Sequence, residues 1–387
     1  MVYSIEELFD LQMGKTPSRN NFNYWNTNDN KWVSISDLSQ SGRYIHETKE
    51  YISDDAIAES GIKVIPANTV IMSFKLSIGK VAITKEEMYS NEAIMAFHDK
   101  HTTELLPEYI YYLFRNKDWS IGTNKAVMGK TLNKVTLSQM KIRVCSIEKQ
   151  REIVSVLNKV SGIIDNVKDQ ISALDDLIKA RFVEMFGDPV VNDKNWQTLP
   201  LDEACKTIVD CPHSTPSYTS ENTGYMCIRT SIVKKNKILW DEIEYIPEEE
   251  FAKRIQRKKP EMGDVVYTRE GAILGIAAII DRECNVALGQ RSMLLSPNRN
   301  KCTSEFLCVA MNCDSFLDNA LKGVAGSASP HINVGDIKAF NIIMPPIELQ
   351  NQFATFVHQS DKLKAEEQRK LEKMQILFDS LMQQYFG

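Results

Sequence analysis

The sequence predicts an α+β protein: two tandem mixed α/β domains separated by two long helices, which pair as an antiparallel coiled coil with pseudo-two-fold symmetry. Two long stretches of the chain carry the apolar period of a coiled coil. The second stretch repeats the first at an offset of 200 residues, and the regions before the two stretches also correspond. Inside each repeat, short apolar runs flank loops that contain glycine, which is typical of paired strands.

The first long helix is predicted over residues 150–187. Its apolar side chains recur in alternating steps of three and four residues, which indicates the seam of a coiled coil rather than the broader stripe of a surface helix. Gly187 ends the helix, and Pro189 follows as a stop signal. The seam residues of this helix are Leu157, Val160, Ile164, Val167, Ile171, Leu174 and Ile178.

The second long helix is predicted over residues 350–387, and its last part carries the same seam. Three polar residues interrupt the seam earlier in the helix: Ser360, Lys364 and Glu367. The two helices can bury both seams by pairing antiparallel. The seam residues of the second helix are Leu371, Met374, Phe378 and Leu381.

Large apolar side chains remain beside the interrupted seam of the second helix. Phe353, Phe356 and Leu363 neighbour the polar positions and have no place in the seam. Apolar side chains that are left exposed together on a helix are typical of a protein interface. We therefore predict that these three residues bind a partner subunit.

The repeat extends upstream of the helices and divides the chain into domains. Gln150 corresponds to Gln350 and Leu132 to Ile332, all at the same offset of 200 residues. The repeat therefore predicts two globular regions, each followed by one long helix. The predicted boundaries are residues 1–149 and 188–349 for the globular domains, and residues 150–187 and 350–387 for the helices.

Further upstream, the offset between the two repeats drifts, as it does across loops of variable length. Thr16-Pro17-Ser18 matches Thr215-Pro216-Ser217. Likewise, Asn91-Glu92 matches Gly289-Gln290. Variable loops on a constant scaffold suit changeable sequence reading, which favours DNA over protein partners.

Composition bounds the class of protein. With 387 residues, of which 43% are hydrophobic, the chain can bury two or three domain cores. Its formal net charge of −5 does not indicate nucleic-acid binding, although an acidic chain can carry a basic face. The first residues have no secretory signal, the longest apolar run is too short to span a membrane, and the eight cysteines form no Cys-x-x-Cys pair. We predict a soluble cytoplasmic protein with no membrane partner.

The sequence offers no catalytic, metal or cofactor motif. Gly-Lys-Thr occurs at Gly14 and at Gly129, but a phosphate-binding loop needs glycine five residues earlier, where Phe9 and Asn124 stand. No close pair of histidine or cysteine residues has a second pair at the spacing of a zinc site. We therefore predict a chain that is not itself an enzyme and binds neither metal nor cofactor.

Basic residues in equivalent loops of the two repeats are the candidate DNA contacts. Lys75 and Arg269 lie in the loops between paired strands, and arginine is the commonest direct reader of guanine. An ordinary turn arginine is the alternative for Arg269. Loops rich in glycine, serine and lysine let the backbone approach a phosphate while lysine neutralises it. The predicted DNA-binding residues are Lys75, Lys125, Lys130, Arg229, Arg269, Arg291, Lys322 and Ser327.

The layout resembles the specificity subunit of type I restriction-modification enzymes. One shared feature is the segment Pro345-Pro-Ile-Glu-Leu-Gln350 before a long helix, with its degenerate copy Cys145-Ser-Ile-Glu-Lys-Gln150. Another is the strand pair around Gly263-Asp-Val-Val-Tyr-Thr-Arg-Glu-Gly271. The third is the Phe-Gly ending of each helix. The first copy departs from the pattern, because Cys145-Ser146 replaces the proline pair.

The resemblance implies that each globular region is a target-recognition domain that reads half of a split double-stranded DNA site. The helices would set the spacing and dock two methyltransferase subunits, which bind S-adenosylmethionine and methylate adenine. Restriction subunits, which supply motor and nuclease, are a further optional partner, and this chain would be the non-catalytic member of the complex. The alternative is a coiled-coil adaptor whose duplicated globular domains bind other proteins.

Overall fold

The structure, a computed structural model, describes residues 1–75, 77–119, 132–322 and 330–387, and the backbone alone of residues 124–126 and 129–131. The chain divides into two compact units. Unit 1 contains Met1–Val167 with Lys370–Gly387, and unit 2 contains Lys168–Arg369. Each unit therefore holds one globular region and a part of each long helix.

The globular region of unit 1 combines short helices with antiparallel and mixed sheets. Its helices are α1 (Ile5–Leu8), α2 (Ile35–Gln40), α3 (Asp54–Ser60), α4 (Pro107–Asn116) and α5 (Lys134–Gln139), with a 3-10 turn at Phe22–Tyr24. Its strands are β1 (Val2–Ser4), β2 (Phe9–Met13), β3 (Asn30–Val33), β4 (Tyr44–Ile45), β5 (Glu50–Ile52), β6 (Val70–Ser73), β7 (Val81–Thr84), β8 (Tyr89–Ser90), β9 (Ile94–Asp99), β10 (Asn124–Ala126), β11 (Gly129–Thr131) and β12 (Lys141–Arg143).

The globular region of unit 2 has the same construction. Its helices are α7 (Leu201–Ala204), α8 (Glu248–Arg254), α9 (Ser304–Asn312), α10 (Asp314–Ala320) and α11 (Val334–Lys338), with 3-10 turns at Thr230–Ile232 and Trp240–Glu242. Its strands are β13 (Thr198–Pro200), β14 (Cys205–Asp210), β15 (Met226–Ile228), β16 (Val233–Lys234), β17 (Lys237–Ile238), β18 (Glu244–Tyr245), β19 (Val265–Thr268), β20 (Ala277–Ile279), β21 (Val286–Leu288), β22 (Ser292–Pro297) and β23 (Asn341–Ile343).

The sheets of the two units have matching topology. The main sheet runs β2-β9-β6-β7-β4 in unit 1 and β14-β22-β19-β20 in unit 2. A smaller mixed sheet runs β5-β3-β8 in unit 1 and β18-β15-β21 in unit 2. In both smaller sheets, the central strand pairs antiparallel with one neighbour and parallel with the other. The repeat seen in the sequence is therefore a repeat of structure.

The two long helices are α6 (Ile147–Phe186) and α12 (Ile347–Phe386), each of 40 residues. Both begin one turn before the predicted starts. In unit 2 they run antiparallel, because Asp175 Oδ1 lies 2.8 Å from Lys364 Nζ, and Phe182 lies 5.6 Å from Phe353 between ring centroids. In unit 1 the start of α6 and the end of α12 enter the same core. The prediction of two α/β domains with paired long helices is confirmed.

The predicted seam residues are buried or half-buried. Within the seam, Leu157, Val160, Ile164, Val167, Ile178 and Phe378 are at most 8% exposed. Ile171, Leu174, Leu371, Met374 and Leu381 are half-buried. No helix in the described part of the chain combines the length and the apolar character needed to cross a membrane.

The polar interruption of the seam lies inside unit 2. Ser360 is buried, and Lys364 Nζ reaches both Asp175 Oδ1 on α6, at 2.8 Å, and Asp361 Oδ1, at 2.6 Å. Burial lowers the pKa of Lys364, but the hydrogen bonds to the two carboxylates outweigh it, so the net shift is upward. A cross-helix ion pair thus replaces apolar packing in this part of the seam.

The prediction that Phe353 faces a partner is wrong. Phe353 is completely buried, with its ring centroid 5.4 Å from that of Phe186. Phe182 and Phe186 of α6 pack against it, and Phe306 of α9 belongs to the same buried cluster. Phe356 is half-buried and Leu363 is 51% exposed, so these two positions remain accessible.

A buried glutamine fastens each long helix to its globular region. Gln150 accepts a hydrogen bond from the Leu106 N–H at 3.0 Å and donates to the Glu104 and Cys145 carbonyls at 2.9 and 3.1 Å. In unit 2, Gln350 makes the same set with Thr303 N–H, the Lys301 carbonyl and the Pro345 carbonyl. Both glutamines are fully buried. The shared set of hydrogen bonds explains why glutamine occurs at this position in both repeats.

We expect Gln150→Ala to lower the free energy of unfolding by about 1–3 kcal/mol, because it leaves buried backbone groups without partners. Denaturant unfolding of the purified chain measures this change. Gln170→Ala, at an exposed position of the same helix, is the matched control and should be neutral. Equal stability of the two variants would contradict the fastening role of Gln150.

Candidate nucleic-acid interface

A Thr-Pro-Ser segment follows β2 in unit 1, at residues 16–18, and β14 in unit 2, at residues 215–217. We call each segment the Thr-Pro-Ser turn of its unit, and an equivalent hydrogen bond holds each one. The Thr16 hydroxyl donates to the Glu92 carboxylate. The Thr215 hydroxyl donates to Gln290 Oε1 at 3.3 Å. The proline of each turn is buried. The two segments that correspond in sequence, Thr-Pro-Ser and the loop before β9 or β22, therefore also meet in space.

Positive charge surrounds this turn in unit 1. The hydrogen bond from Thr16 lowers the pKa of Glu92, and the charges of Lys75 and Arg19 lower it further, against the opposing effect of burial. Lys75 is half-buried, with Nζ 5.1 Å from the centroid of the Phe74 ring. Lys75, one of the predicted DNA-binding residues, thus lies beside the turn.

Arg19 is held rigidly next to the turn. Its guanidinium stacks 3.7 Å from the centroid of the Trp25 ring and pairs with both carboxylate oxygens of Glu50, with Nη2–Oε2 at 3.0 Å. Trp25 in turn packs edge-on against Trp32 at a centroid distance of 4.9 Å. About half of the Arg19 side chain is exposed. A fixed, half-exposed arginine is suited to contact phosphate or a base edge.

Unit 2 builds an equivalent cluster from different positions. Arg229 Nε lies 2.9 Å from Glu244 Oε2, and its guanidinium lies 5.7 Å from the Tyr218 ring centroid. Glu244 pairs with Cys227 on β15 as Glu50 pairs with Trp32 on β3, so the two glutamates occupy equivalent places. Each unit therefore presents an arginine, an aromatic ring and a carboxylate beside its Thr-Pro-Ser turn.

The structure contradicts a direct base contact by Arg269. Its side chain is 6% exposed, with Nε 3.0 Å from Asp210 Oδ1 and Nη2 2.7 Å from Glu270 Oε1. The backbone of Arg269 makes the same hydrogen bonds, to the residue before β22 and to Ile332, that Phe74 makes in unit 1. This position points into the domain in both units, and in unit 2 an ion-paired arginine fills it.

Asp210 and Glu270, the carboxylates that pair with Arg269, also hold a histidine at the surface. His213 Nε2 lies 2.9 Å from Asp210 Oδ2, and Arg269 Nη2 lies 3.3 Å from His213 Nδ1. His213 is 61% exposed and stands on the loop that leads into the Thr-Pro-Ser turn. Arg269 is thus a positioning residue for this loop.

Arg291 is the exposed cation of this face of unit 2. It adopts a left-handed backbone with φ of 73°, which residues other than glycine rarely do. Its side chain runs over Gly271, where a Cβ atom would lie 3.4 Å from Arg291 Nη1. Within the described residues, Arg291 has no ion-pair partner, and it directly follows Gln290 of the hydrogen-bonded turn. Its guanidinium is therefore available to DNA.

Arg269 and Arg291 should respond differently to truncation. We expect Arg269→Ala to cost about 3 kcal/mol of stability, because it strands two partly buried carboxylates. Arg291→Ala should leave stability within about 0.5 kcal/mol but weaken DNA binding and reduce its salt slope by about one unit. Denaturant unfolding and binding titrations at several salt concentrations separate the two effects. Equal losses of stability in both variants would contradict these roles.

The other predicted DNA-binding residues fall in regions that the structure describes incompletely. Lys125 and Lys130 oppose each other in the β10–β11 hairpin, but their side chains lie outside the described residues, as does Ser327 altogether. Lys322 is exposed, with Nζ 3.1 Å from Asn319 Oδ1. Their role as phosphate contacts stays a prediction. Among the residues that are described, no cluster of His, Cys, Asp or Glu could hold a metal ion.

Sequence reasoning missed Thr16, Arg19, Glu50 and Glu92 as parts of one surface. The Thr-Pro-Ser repeat marked the correspondence of the two units but gave no sign of its partner. The recurrence of both segments in the two repeats, at Thr16/Thr215 and at Glu92/Gln290, was the available signal, because segments that recur together can be in contact.

The comparisons with known proteins identify the class to which this architecture belongs. The family model described as the type I restriction modification DNA specificity domain matches residues 1–175 and again residues 193–373. These matches cover most of the chain, in two copies. The chain belongs to the type I restriction-modification DNA specificity family. It is a specificity subunit, whose function is DNA sequence recognition, and this family membership favours DNA over the adaptor alternative.

Relatives of known name agree with this assignment. The specificity subunit of the type I restriction enzyme MjaIX of Methanocaldococcus jannaschii is 23% identical over 378 residues, or 92% of this chain and 85% of the relative. That of MjaVIII from the same organism is 21% identical over 362 residues, covering 87% and 84%. The EcoR124I/EcoR124II specificity subunit of Escherichia coli is 26% identical over 163 residues, covering 40% and 39%.

Solved structures share the fold. The S subunit of a type I restriction-modification system from M. genitalium aligns with a TM-score of 0.57 at 13% identity, covering 100% of this chain and 96% of that one. A chain from a structure on complex assembly and conformational transition of a type I system aligns with a TM-score of 0.56 at 17% identity, covering 100% and 97%.

Proposed function

We propose that each unit reads one half of a bipartite DNA site through the surface around its Thr-Pro-Ser turn, and that the paired helices set the distance between the halves. The observation that carries this proposal is the equivalent construction of the two surfaces. The same hydrogen-bonded turn recurs in both units, while the side chains mounted beside it differ, as two readers of different sequences require.

The charges of these surfaces suit DNA. Arg19 and Lys75 in unit 1, and Arg229 and Arg291 in unit 2, are half-buried or exposed cations beside the turns. Glu50 and Glu244 pair with the arginines without covering them, since each arginine keeps about 40% or more of its side chain exposed. Oriented arginines are effective partners for phosphates and guanine.

Two apolar patches on the helices, which share two repeat-equivalent positions, support docking of two modification subunits. Patch 1, in unit 1, consists of Ile163, Ile376 and Leu377, which are 41%, 70% and 42% exposed. Patch 2, in unit 2, consists of Leu177, Phe356 and Leu363; Phe356 is half-buried, and the other two are 48% and 51% exposed. Ile163 corresponds to Leu363, and Leu177 to Leu377, at the offset of 200 residues.

Patch 2 also has a suitable shape. Leu177, Phe356 and Arg181 border a groove of about 610 Å³ between α6 and α12. Exposed apolar side chains around a concave surface are the features that a partner helix or loop fills. A duplicated patch on a duplicated chain accounts for two copies of one partner.

The chemistry then belongs to the partners. The modification subunits would bind S-adenosylmethionine and methylate adenine, restriction subunits would join for cleavage, and this chain would act as the non-catalytic member. All eight cysteines of the chain are free thiols, which fits assembly in the reducing cytoplasm.

A reconstitution tests this division of labour. The purified chain alone should bind a DNA fragment that carries its site and transfer no methyl group from labelled S-adenosylmethionine. Addition of the modification subunit should produce methylation of that fragment and not of a scrambled one. Methyl transfer by the chain alone, or methylation of both fragments alike, would contradict the proposal.

A further inference from the structure

The segment that follows each Thr-Pro-Ser turn differs completely between the two units. Unit 1 continues with Arg19-Asn20-Asn21-Phe22-Asn23-Tyr24-Trp25, and unit 2 with Tyr218-Thr219-Ser220-Glu221-Asn222. The turns before them are alike in sequence and in hydrogen bonding. Two domains that read different half-sites must differ where they contact bases, so these segments are the natural places for that difference.

In unit 1, both sides of the segment are fastened. Before it, Arg19 is bound to Glu50 and stacked on Trp25. After it, Tyr24 is buried and donates its hydroxyl to Glu59, and Trp25 Nε1 donates to the Ser18 carbonyl at 3.1 Å. The residues between them are thereby held in a short 3-10 turn, Phe22–Tyr24.

The fastened segment presents an aromatic side chain to solvent. Phe22 is 82% exposed, the largest exposed fraction among the large apolar residues described. Asn20 and Asn23 beside it are also exposed. Isolated exposed apolar residues are common, but Arg19, Tyr24 and Trp25 anchor both sides of the segment that carries Phe22, so little ordering cost remains when it binds.

We infer that Phe22 is the base-contacting residue of unit 1, with Asn20 and Asn23 as its polar companions. Phenylalanine contacts the thymine methyl group in the major groove, and asparagine pairs with the N6 and N7 edge of adenine. The segment is therefore directed at an A·T pair in the half-site that unit 1 reads. This inference rests on the proposed function, because it assigns a residue to the DNA-reading surface.

The test uses the complete complex of the chain with its modification subunits. Phe22→Ala should lower the preference for one A·T pair about tenfold in one half-site and leave the other half-site and the gap unchanged. The readout is the set of adenines methylated in a genomic DNA library, determined by sequencing. Phe22→Tyr, which keeps the apolar ring, should retain most of the preference.

Val135→Ala is the matched control, since Val135 is another exposed apolar residue of unit 1, at 65% exposure, and lies on α5 rather than in this segment. It should change no preference. An unaltered half-site in Phe22→Ala, or a uniform loss at both half-sites, would overturn the assignment of Phe22. Failure of the unsubstituted complex to methylate a bipartite site would instead overturn the proposed function itself, so the two failures are distinguishable.

Discussion

Lengthening both long helices by four residues should move the two halves of the recognised DNA site apart by one or two base pairs. We would insert four helix-forming residues after Asp165 in α6 and four after Glu372 in α12. Each position follows a seam residue, Ile164 or Leu371, that packs in the core of unit 1. Four residues add about 6 Å of helix, or nearly two base pairs at about 3.4 Å each, and turn the following seam by only about 40°. A coiled coil absorbs such an insertion by local unwinding.

A second length makes the test quantitative. Insertion of seven residues at the same two positions keeps the heptad phase and adds about 10.5 Å, which corresponds to about three base pairs. Four residues inserted after Val191, an exposed position in the loop after α6, lengthen the chain without lengthening a helix. The sequenced methylation sites should show a gap that grows with helix length and stays constant in the loop control. An unaltered gap in the helix variants, or altered half-site sequences, would mean that the helices are not the spacer.

Loss of the apolar patches should remove the modification subunits one at a time. Phe356→Asp with Leu363→Asp places two charges in patch 2, where their burial against a partner would cost several kcal/mol each. We expect a complex with one modification subunit instead of two. The further changes Ile163→Asp and Leu377→Asp in patch 1 should leave the chain without either subunit. Light scattering after size-exclusion chromatography measures the mass of each complex.

The substituted side chains are exposed or half-buried, so both units should remain folded. Val191→Asp, at a position that is 72% exposed and outside the helices, controls for added charge and should leave the full complex intact. A full complex that survives all four substitutions would show that the modification subunits bind elsewhere.

The long helices and the repeat could be predicted from the sequence because their signals are local and periodic. The seam of α6 is visible as apolar residues in steps of three and four, and Gln150 and Gln350 stand at an unchanged offset because each makes the same three buried hydrogen bonds. The role of the glutamines could not be predicted, since two of the three backbone partners of each lie more than forty residues away in sequence.

The DNA-binding and partner-binding surfaces were harder to predict, because the burial of a side chain depends on residues that are distant in sequence. Arg269 was predicted to be a base reader, but Asp210, on a strand 59 residues earlier, supplies a partly buried counter-ion. Phe353 was assigned to a partner face because the periodicity of its own helix does not show that Phe182 and Phe186 of α6 pack against it. In the same way, the contact between Thr16 and Glu92 joins residues that lie 76 positions apart.

The central claim, that the two units read the two halves of one split site, is tested most directly by sequencing methylated adenines in cells with and without this chain. The account predicts one bipartite motif, with two specific halves and a non-specific gap of constant length, which disappears as a whole when the chain is absent. A continuous motif, or a bipartite motif that persists without the chain, would contradict it.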